Sequence, residues 1–192
     1  MTAFPEFFNA PVPAFGPVNA RLLIVGLAPG LKGANRTGRP FTGDYAGDLL
    51  YSTLEKLGLA RGSYGACPND GLDLIDCRIT NAVRCVPPDN KPTGAEIRTC
   101  RASFLAPEIA ALPNLRHILA LGRVAHDAVI GASGYVRAHY PFAHGRYHHL
   151  PNGRILTDSY HCSRYNTNTG RLTPEMFETV LHGIREYLNA PI

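Results

Sequence analysis

The run Arg21-Leu-Leu-Ile-Val-Gly26 sets four apolar side chains in a row with no polar residue between them. A segment that short and that uniformly apolar fits a strand covered on both faces, not an amphipathic helix or a half-exposed strand. It opens into a loop, Leu27 to Gly43, that contains Gly30, Gly33, Gly38 and Gly43. Loops of this length without structure of their own commonly carry function.

The same punctuation recurs along the chain. A helix is expected from about Asp44 to Leu57, with Leu49, Leu50, Leu54 and Leu57 on one face. Ile75 to Ala82 reads as a second strand, stopped by Pro87-Pro88. Thr93-Gly-Ala-Glu96 is a capping box for a helix reaching about Ala111. His117 to Gly122 is the third strand, Arg123 to Ile130 a short helix, and Arg154 to Tyr160 the fourth strand. Thr173-Pro174 opens the last helix, with proline where its missing N–H costs nothing. The aromatic, His-rich stretch Tyr135 to Leu150 yields no assignable element. Strands alternating with helices imply a parallel sheet with helices on both faces, and ligands bind beyond the carboxyl ends of such strands. Leu27–Asp44, Asn81–Pro88 and Tyr160–Arg171 all follow strands and are expected to gather there.

At 192 residues, 45% hydrophobic, the chain fits one domain, 1–192, with residues 1–20 as an extended arm spaced by Pro5, Pro11, Pro13 and Pro17. The formal charge of +4 diagnoses nothing alone. No apolar run approaches a membrane span and the first nineteen residues lack a signal-peptide layout, so a cytoplasmic, membrane-free protein is expected. The five cysteines, Cys67, Cys77, Cys85, Cys100 and Cys162, include no CxxC and form no disulfide framework.

Three segments carry candidate chemistry. Gly26 to Asp44 fits neither GxGxxG nor a P-loop, so no nucleotide cofactor is expected; its glycines expose amide donors to a ligand, and Phe41 offers a flat face or plugs the loop into the core. Asn81 ends a strand and presents a donor beside an acceptor, matching a base edge, although a strand-end Asn also forms turns. In Ser159-Tyr-His-Cys-Ser-Arg-Tyr-Asn166, His161 can donate to a developing anion, and Ser163 and Arg164 can bind phosphate. His148-His149 is set aside as a metal site, because neighbours on a strand point to opposite faces.

Together these segments resemble the uracil-DNA glycosylase superfamily, most closely its type-b branch, also called family 5. The resemblance runs from about Pro11 to Leu188. It rests on Gly26-Leu-Ala-Pro29, Asn35-Arg-Thr-Gly-Arg39 with Phe41-Thr-Gly-Asp44, Ile79-Thr-Asn-Ala-Val-Arg-Cys-Val-Pro-Pro88, Tyr160-His161 and Thr169-Gly-Arg-Leu-Thr173. It implies a three-layer α/β/α fold with a central four-stranded parallel sheet and a pocket for a flipped base. The implied activity is hydrolytic removal of uracil, with hypoxanthine or xanthine as further substrates, from DNA by a monomer. Gly26, Leu27, Ala28, Phe41, Asn81 and His161 would hold the base. Asp44, Asn81 and His161 would act in catalysis, while Arg36, Ser163, Arg164, Tyr165 and Arg171, with Lys32, would contact the strand.

Two departures from the family pattern stand out. Where most branches place an Asp or Glu to handle water, this chain has Ala28, a lack shared by type-b enzymes, and Asp44 is the nearest carboxylate in the motif. Type-b members also carry a four-iron cluster on four cysteines. Cys85 and Cys100 match the later pair, the early CxxC is missing, and this chain is expected to offer half of a 4Fe-4S site. Two rivals follow: a lesion-binding protein of the same fold without turnover, and a nucleotide hydrolase, which would need a metal-binding carboxylate cluster at the strand ends.

Overall fold

The structure, a computed structural model, describes residues 4–190. In chain order the elements are β1 (Leu22–Gly26), α1 (Ala34–Thr37), α2 (Tyr45–Lys56), β2 (Ala60–Arg61), β3 (Asp73–Leu74), β4 (Cys77–Asn81), α3 (Gly94–Cys100), α4 (Ala106–Ala111), β5 (His117–Leu121), α5 (Arg123–Ala132), β6 (Tyr147–His149), β7 (Ile155–Ser159), α6 (Arg164–Asn168) and α7 (Pro174–Asn189). The main sheet has the order β4-β1-β5-β7-β6. Its first four strands are parallel. The uniform apolar character of β1 follows from its place between two layers. Leu22 and Ile24 pack with Leu50, Leu54, Phe177 and Leu181 on the α2–α7 side, while Leu23 and Val25 pack with Ile109, Val129 and Ile130 on the α4–α5 side. The expected three-layer α/β/α arrangement is present, and no helix among the described residues is long and apolar enough to cross a membrane.

Where the structure departs from expectation the causes are local. The sheet has five strands, not four: β6 runs antiparallel on the edge, pairing Tyr147 with Thr157 and His149 with Ile155. Its three residues are too few to show a period-2 pattern. The helix expected to run unbroken from the capping box to Ala111 widens into a π turn at Arg101–Leu105. Pro107 explains this, since its ring lacks an N–H and crowds the carbonyl four residues back. The arm read over residues 1–20 is extended but docked, exchanging hydrogen bonds between Phe15 and Ile79 along the β4 edge and burying Val12; Met1–Ala3 lie outside the described residues. The β2–β3 ribbon, also unforeseen, closes a loop that delivers Tyr64 and Asp70 to the next part of the molecule.

Candidate active site

Register sets the strand ends. Gly26 pairs with Asn81 across β1 and β4, and Leu121 with Ser159 across β5 and β7, so the three polar segments leave the sheet side by side. The first and third of them enclose a cleft of about 770 Å3 lined by Leu27, Ala28, Lys32, Asp44, Tyr45, His161, Ser163 and Arg164, among others; Gly26, Phe41 and Asn81, expected to hold a base, lie behind it and do not line it. A second cavity of about 490 Å3 shares the His161 wall and adds Arg123, Tyr160, Asn166 and Arg171.

Behind the cleft Gly26 has a steric role. A Cβ there would lie 2.4 Å from both Asn81 Oδ1 and Phe41 Cζ, so only glycine lets these side chains meet over the strand end. The Phe41 ring lies near-parallel to His161, with centroids 5.9 Å apart and planes at 25°. A base slid between two such rings would need about 7 Å, two van der Waals layers.

Phe41 is held with φ at 53°, a left-handed conformation that a bulky side chain rarely adopts. Its surroundings fix it there. The Tyr64 hydroxyl donates to the Phe41 carbonyl (3.1 Å) and accepts the Gly43 N–H (3.1 Å), while the Tyr51 hydroxyl donates to the Pro40 carbonyl (2.6 Å). Arg39 donates to Thr42 Oγ1 (2.7 Å) and makes a two-pronged bond to Asp70 (2.8 and 2.6 Å), with its guanidinium 5.1–5.8 Å from the rings of Phe15, Tyr51 and Tyr64. The Arg39 guanidinium holds the Asp70 carboxyl far below the usual carboxylate range. Strain of this kind persists at a functional site when neighbours over-determine it.

Asp44 plays two parts. Its Oδ1 accepts from the Gly47 amide (3.3 Å) as the N-cap of α2, and its other oxygen packs on the glycine loop so closely that a Cβ at Gly33 would fall 2.5 Å from it. Burial raises its pKa, only partly offset by the Gly47 and Ala46 amides. Burial lowers His161 to about 4, so the imidazole is neutral at neutral pH. The Asn81 amide and the His161 ring have no hydrogen-bond partner among the described residues, which leaves both to a ligand, while Asn166 Nδ2 fixes the His161 carbonyl at 2.8 Å.

Not every expected residue joins the cleft. Arg36 is exposed on α1, its Nε donating to the Lys32 carbonyl (2.8 Å), and Tyr165 is 72% exposed on α6; neither lines the cleft or the second cavity. Arg171 lines the second cavity, its guanidinium 4.6 Å over Tyr160. Ser163 caps α6, accepting the Asn166 amide at 3.5 Å, and still lines the cleft. Sequence reasoning missed Tyr45, whose ring lies 5.4 Å from the Arg164 guanidinium, and Arg123, read only as a helix start.

The Uracil DNA glycosylase superfamily profile matches residues 13–185. The chain belongs to the uracil-DNA glycosylase superfamily. It is 49% identical over 175 residues to the Type-5 uracil-DNA glycosylase of Thermus thermophilus, covering 91% of this chain and 79% of that one. It is 42% identical over 176 residues to the Type-5 uracil-DNA glycosylase of Pyrobaculum aerophilum (92% and 76%). A Type-4 uracil-DNA glycosylase of the same organism is 36% identical over a shorter 124 residues, 64% of this chain and 55% of that one. In superfamily terms Ala28 and Asp44 share one cleft, which brings the carboxylate of the second stretch beside the position where the first lacks one.

The cluster that the type-b resemblance implies was tested against the thiols present. Cys85 and Cys100 line one cavity with Val83 and Pro87, and burial, with Cys100 beside it, raises the Cys85 thiol. Cys77 and Cys162 are buried in the core, their Sγ atoms at 3.7 and 3.5 Å from backbone carbonyls, and Cys67 is exposed on a separate loop. Two thiols do not fit a four-iron cluster, which takes four.

Proposed function

We propose that this chain removes uracil from DNA by hydrolysing the N-glycosyl bond and leaving an abasic site. The observation that carries this reading is the cleft that Asp44, His161 and the Ala28 loop line together, with Phe41 packed beside His161 and Asn81 beside Gly26 behind it. A base within a duplex is unreachable, so the nucleotide is extruded at a cost of a few kcal/mol. Lys32, Arg164 and Arg171 supply phosphate contacts around the cleft. Tyr165, the most exposed large hydrophobic side chain among the described residues, is the wedge that fills the vacated stack. As the bond breaks, positive charge grows on the sugar and negative charge on the base. A neutral His161 donates to the base oxygen, Asn81 pairs with its edge, and Asp44 faces the sugar cation and orients water. The small Ala28 leaves room for hypoxanthine or xanthine. The protein would work as a cytoplasmic monomer.

Incubation with uracil-containing duplex DNA, followed by alkali, tests the reading: strand breaks at the uracil position support it. Tight lesion binding without breaks would instead favour a binder that has lost turnover. The nucleotide-hydrolase rival lacks its carboxylate cluster: among the described residues the only grouping of three His, Cys, Asp or Glu side chains is His126, His148 and Asp158, sealed inside the protein.

Asn81→Asp replaces a donor–acceptor pair with acceptors alone. The preference among uracil, hypoxanthine and xanthine is expected to change, measured as relative single-turnover rates. An unchanged order would show that Asn81 does not read the base. Cys85 and Cys100 are proposed as two ligands of a cluster that needs two further thiolates. Residues 1–192 alone, loaded with iron and sulfide under anaerobic conditions, should stay colourless; a stoichiometric, visibly absorbing cluster would overturn that ligand count.

A further inference from the structure

Asp158 is an acidic residue in β7, one place before its last residue and three positions before His161, and it is completely buried. A buried carboxylate is costly unless it is paired and fully hydrogen-bonded. Its Oδ1 lies 2.6 Å from His126 Nδ1, and its Oδ2 lies 2.9 Å from His148 Nε2 and 3.2 Å from the Ala143 amide nitrogen. His126, equally buried, has its second ring nitrogen 2.7 Å from the Tyr140 carbonyl. A carbonyl and an ionised carboxylate only accept, so with Asp158 ionised both nitrogens would donate and His126 would be an imidazolium. Burial alone would lower its pKa; the bond and charge of Asp158, with the Tyr140 carbonyl, outweigh burial and raise it. The other groups around the ring are few: His148 on β6, Asp127 on α5, itself paired with Arg137 (3.5 Å), and the Phe142 ring packed edge-on at 5.7 Å.

The arrangement is that of proton-bridged partners. Two ligands of one tetrahedral zinc ion, each about 2.0–2.1 Å from the metal, stand about 3.3 Å apart, well beyond 2.6 and 2.9 Å.

This pair grips the turn 140–146 twice, at the Tyr140 carbonyl and the Ala143 amide. The turn in turn grips the active site. His144 Nδ1 accepts the Tyr160 N–H (3.1 Å), its ring stacks on Tyr160 (4.9 Å, 10°), and Phe142 and Ala143 share a cavity wall with His161. We propose that Asp158 and His126 are positioning residues for His161, fixing through the 140–146 turn the strand end from which His161 enters the cleft. The proposal rests on the reading of His161 as the donor to the departing base.

Asp158→Asn keeps the size of the side chain and removes the charge. Uracil excision under single-turnover conditions should fall about 10- to 10²-fold, the scale of a small misplacement at a reacting centre, while affinity for undamaged duplex stays unchanged. The pH profile separates positioning from mere stability. Because the His126 pKa is raised, its charge is present at lower pH and lost as pH rises through that value, so the wild-type rate should decline above the ordinary imidazole range. Without the Asp158 charge, burial dominates and that alkaline limb should move to lower pH. Nitrogen NMR of the wild type should show two protonated nitrogens on the His126 ring at neutral pH. A neutral His126, stoichiometric zinc by elemental analysis, or an Asp158→Asn protein with the wild-type rate and pH profile would each overturn the proposal. Should Asp158→Asn fail to fold, the wild-type alkaline limb and ring spectrum decide on their own. A wild type without cleavage would refute the glycosylase reading, and His161→Ala at full rate would refute the role of His161. Either result takes this proposal with it, yet each is distinguishable from a failure at Asp158.

Discussion

His161→Ala is expected to lower single-turnover uracil excision by about 10²–10³-fold, the loss measured when one donor to a developing anion is removed, or about 2.7–4 kcal/mol. The imidazole is placed for this by its strand end and by the Asn166 bond to its carbonyl. Its low pKa, about 4, keeps it neutral, and a neutral imidazole N–H suffices as the donor. Affinity for undamaged duplex should barely move, since phosphate contacts from Arg164, Arg171 and Lys32 supply that term. Any fall in melting temperature should be limited to the loss of the ring's packing against Phe41, because the ring makes no hydrogen bond among the described residues. Full activity in a folded His161→Ala protein would make the residue structural. Catalysis would then have to come from loop amides and Asn81.

The parts of this site that were legible in the sequence are those fixed by local rules. Asp44 ahead of an apolar helix, and Thr93 three residues before Glu96, both cap as expected because an N-cap needs only its own first turn. The opposite exposure of His148 (buried) and His149 (exposed) follows from strand alternation. Phe41 plugs the loop into the core, only 6% exposed, with its ring turned toward His161.

What escaped detection depends on contacts between distant segments. Arg39 reaches Asp70 across thirty-one positions, and His126 reaches Asp158 across thirty-two. Neither spacing leaves a pattern along the chain. One signal was available: Asp158 interrupts a run that is otherwise read as a buried strand, and a charge in that setting requires partners. The aromatic, His-rich stretch before it supplied two of them, His148 and the Ala143 amide.

Asp44→Asn should separate capping from chemistry. Asn caps a helix about as well as Asp, so the bond to the Gly47 amide survives the change. The wild-type carboxyl is buried with a raised pKa, so its ionised form is disfavoured by folding at neutral pH, and stability falls as pH rises through the unfolded and then the folded pKa. Removing that charge should therefore leave the melting temperature unchanged or slightly higher at neutral pH. The rate should behave oppositely. Asn carries no negative charge toward the sugar cation and no base for water, so excision is expected to drop by about 10²-fold or more, the scale of a positioned acid or base. The acid limb of the wild-type profile gives a second check. Because burial raises Asp44, the rate should begin to fall above the ordinary carboxylate range. In Asp44→Asn that limb should vanish. Melting and single-turnover cleavage measured on one preparation settle the assignment. An unchanged rate with the acid limb intact would reduce Asp44 to a cap, and water would then have to be placed by the backbone amides of the glycine loop.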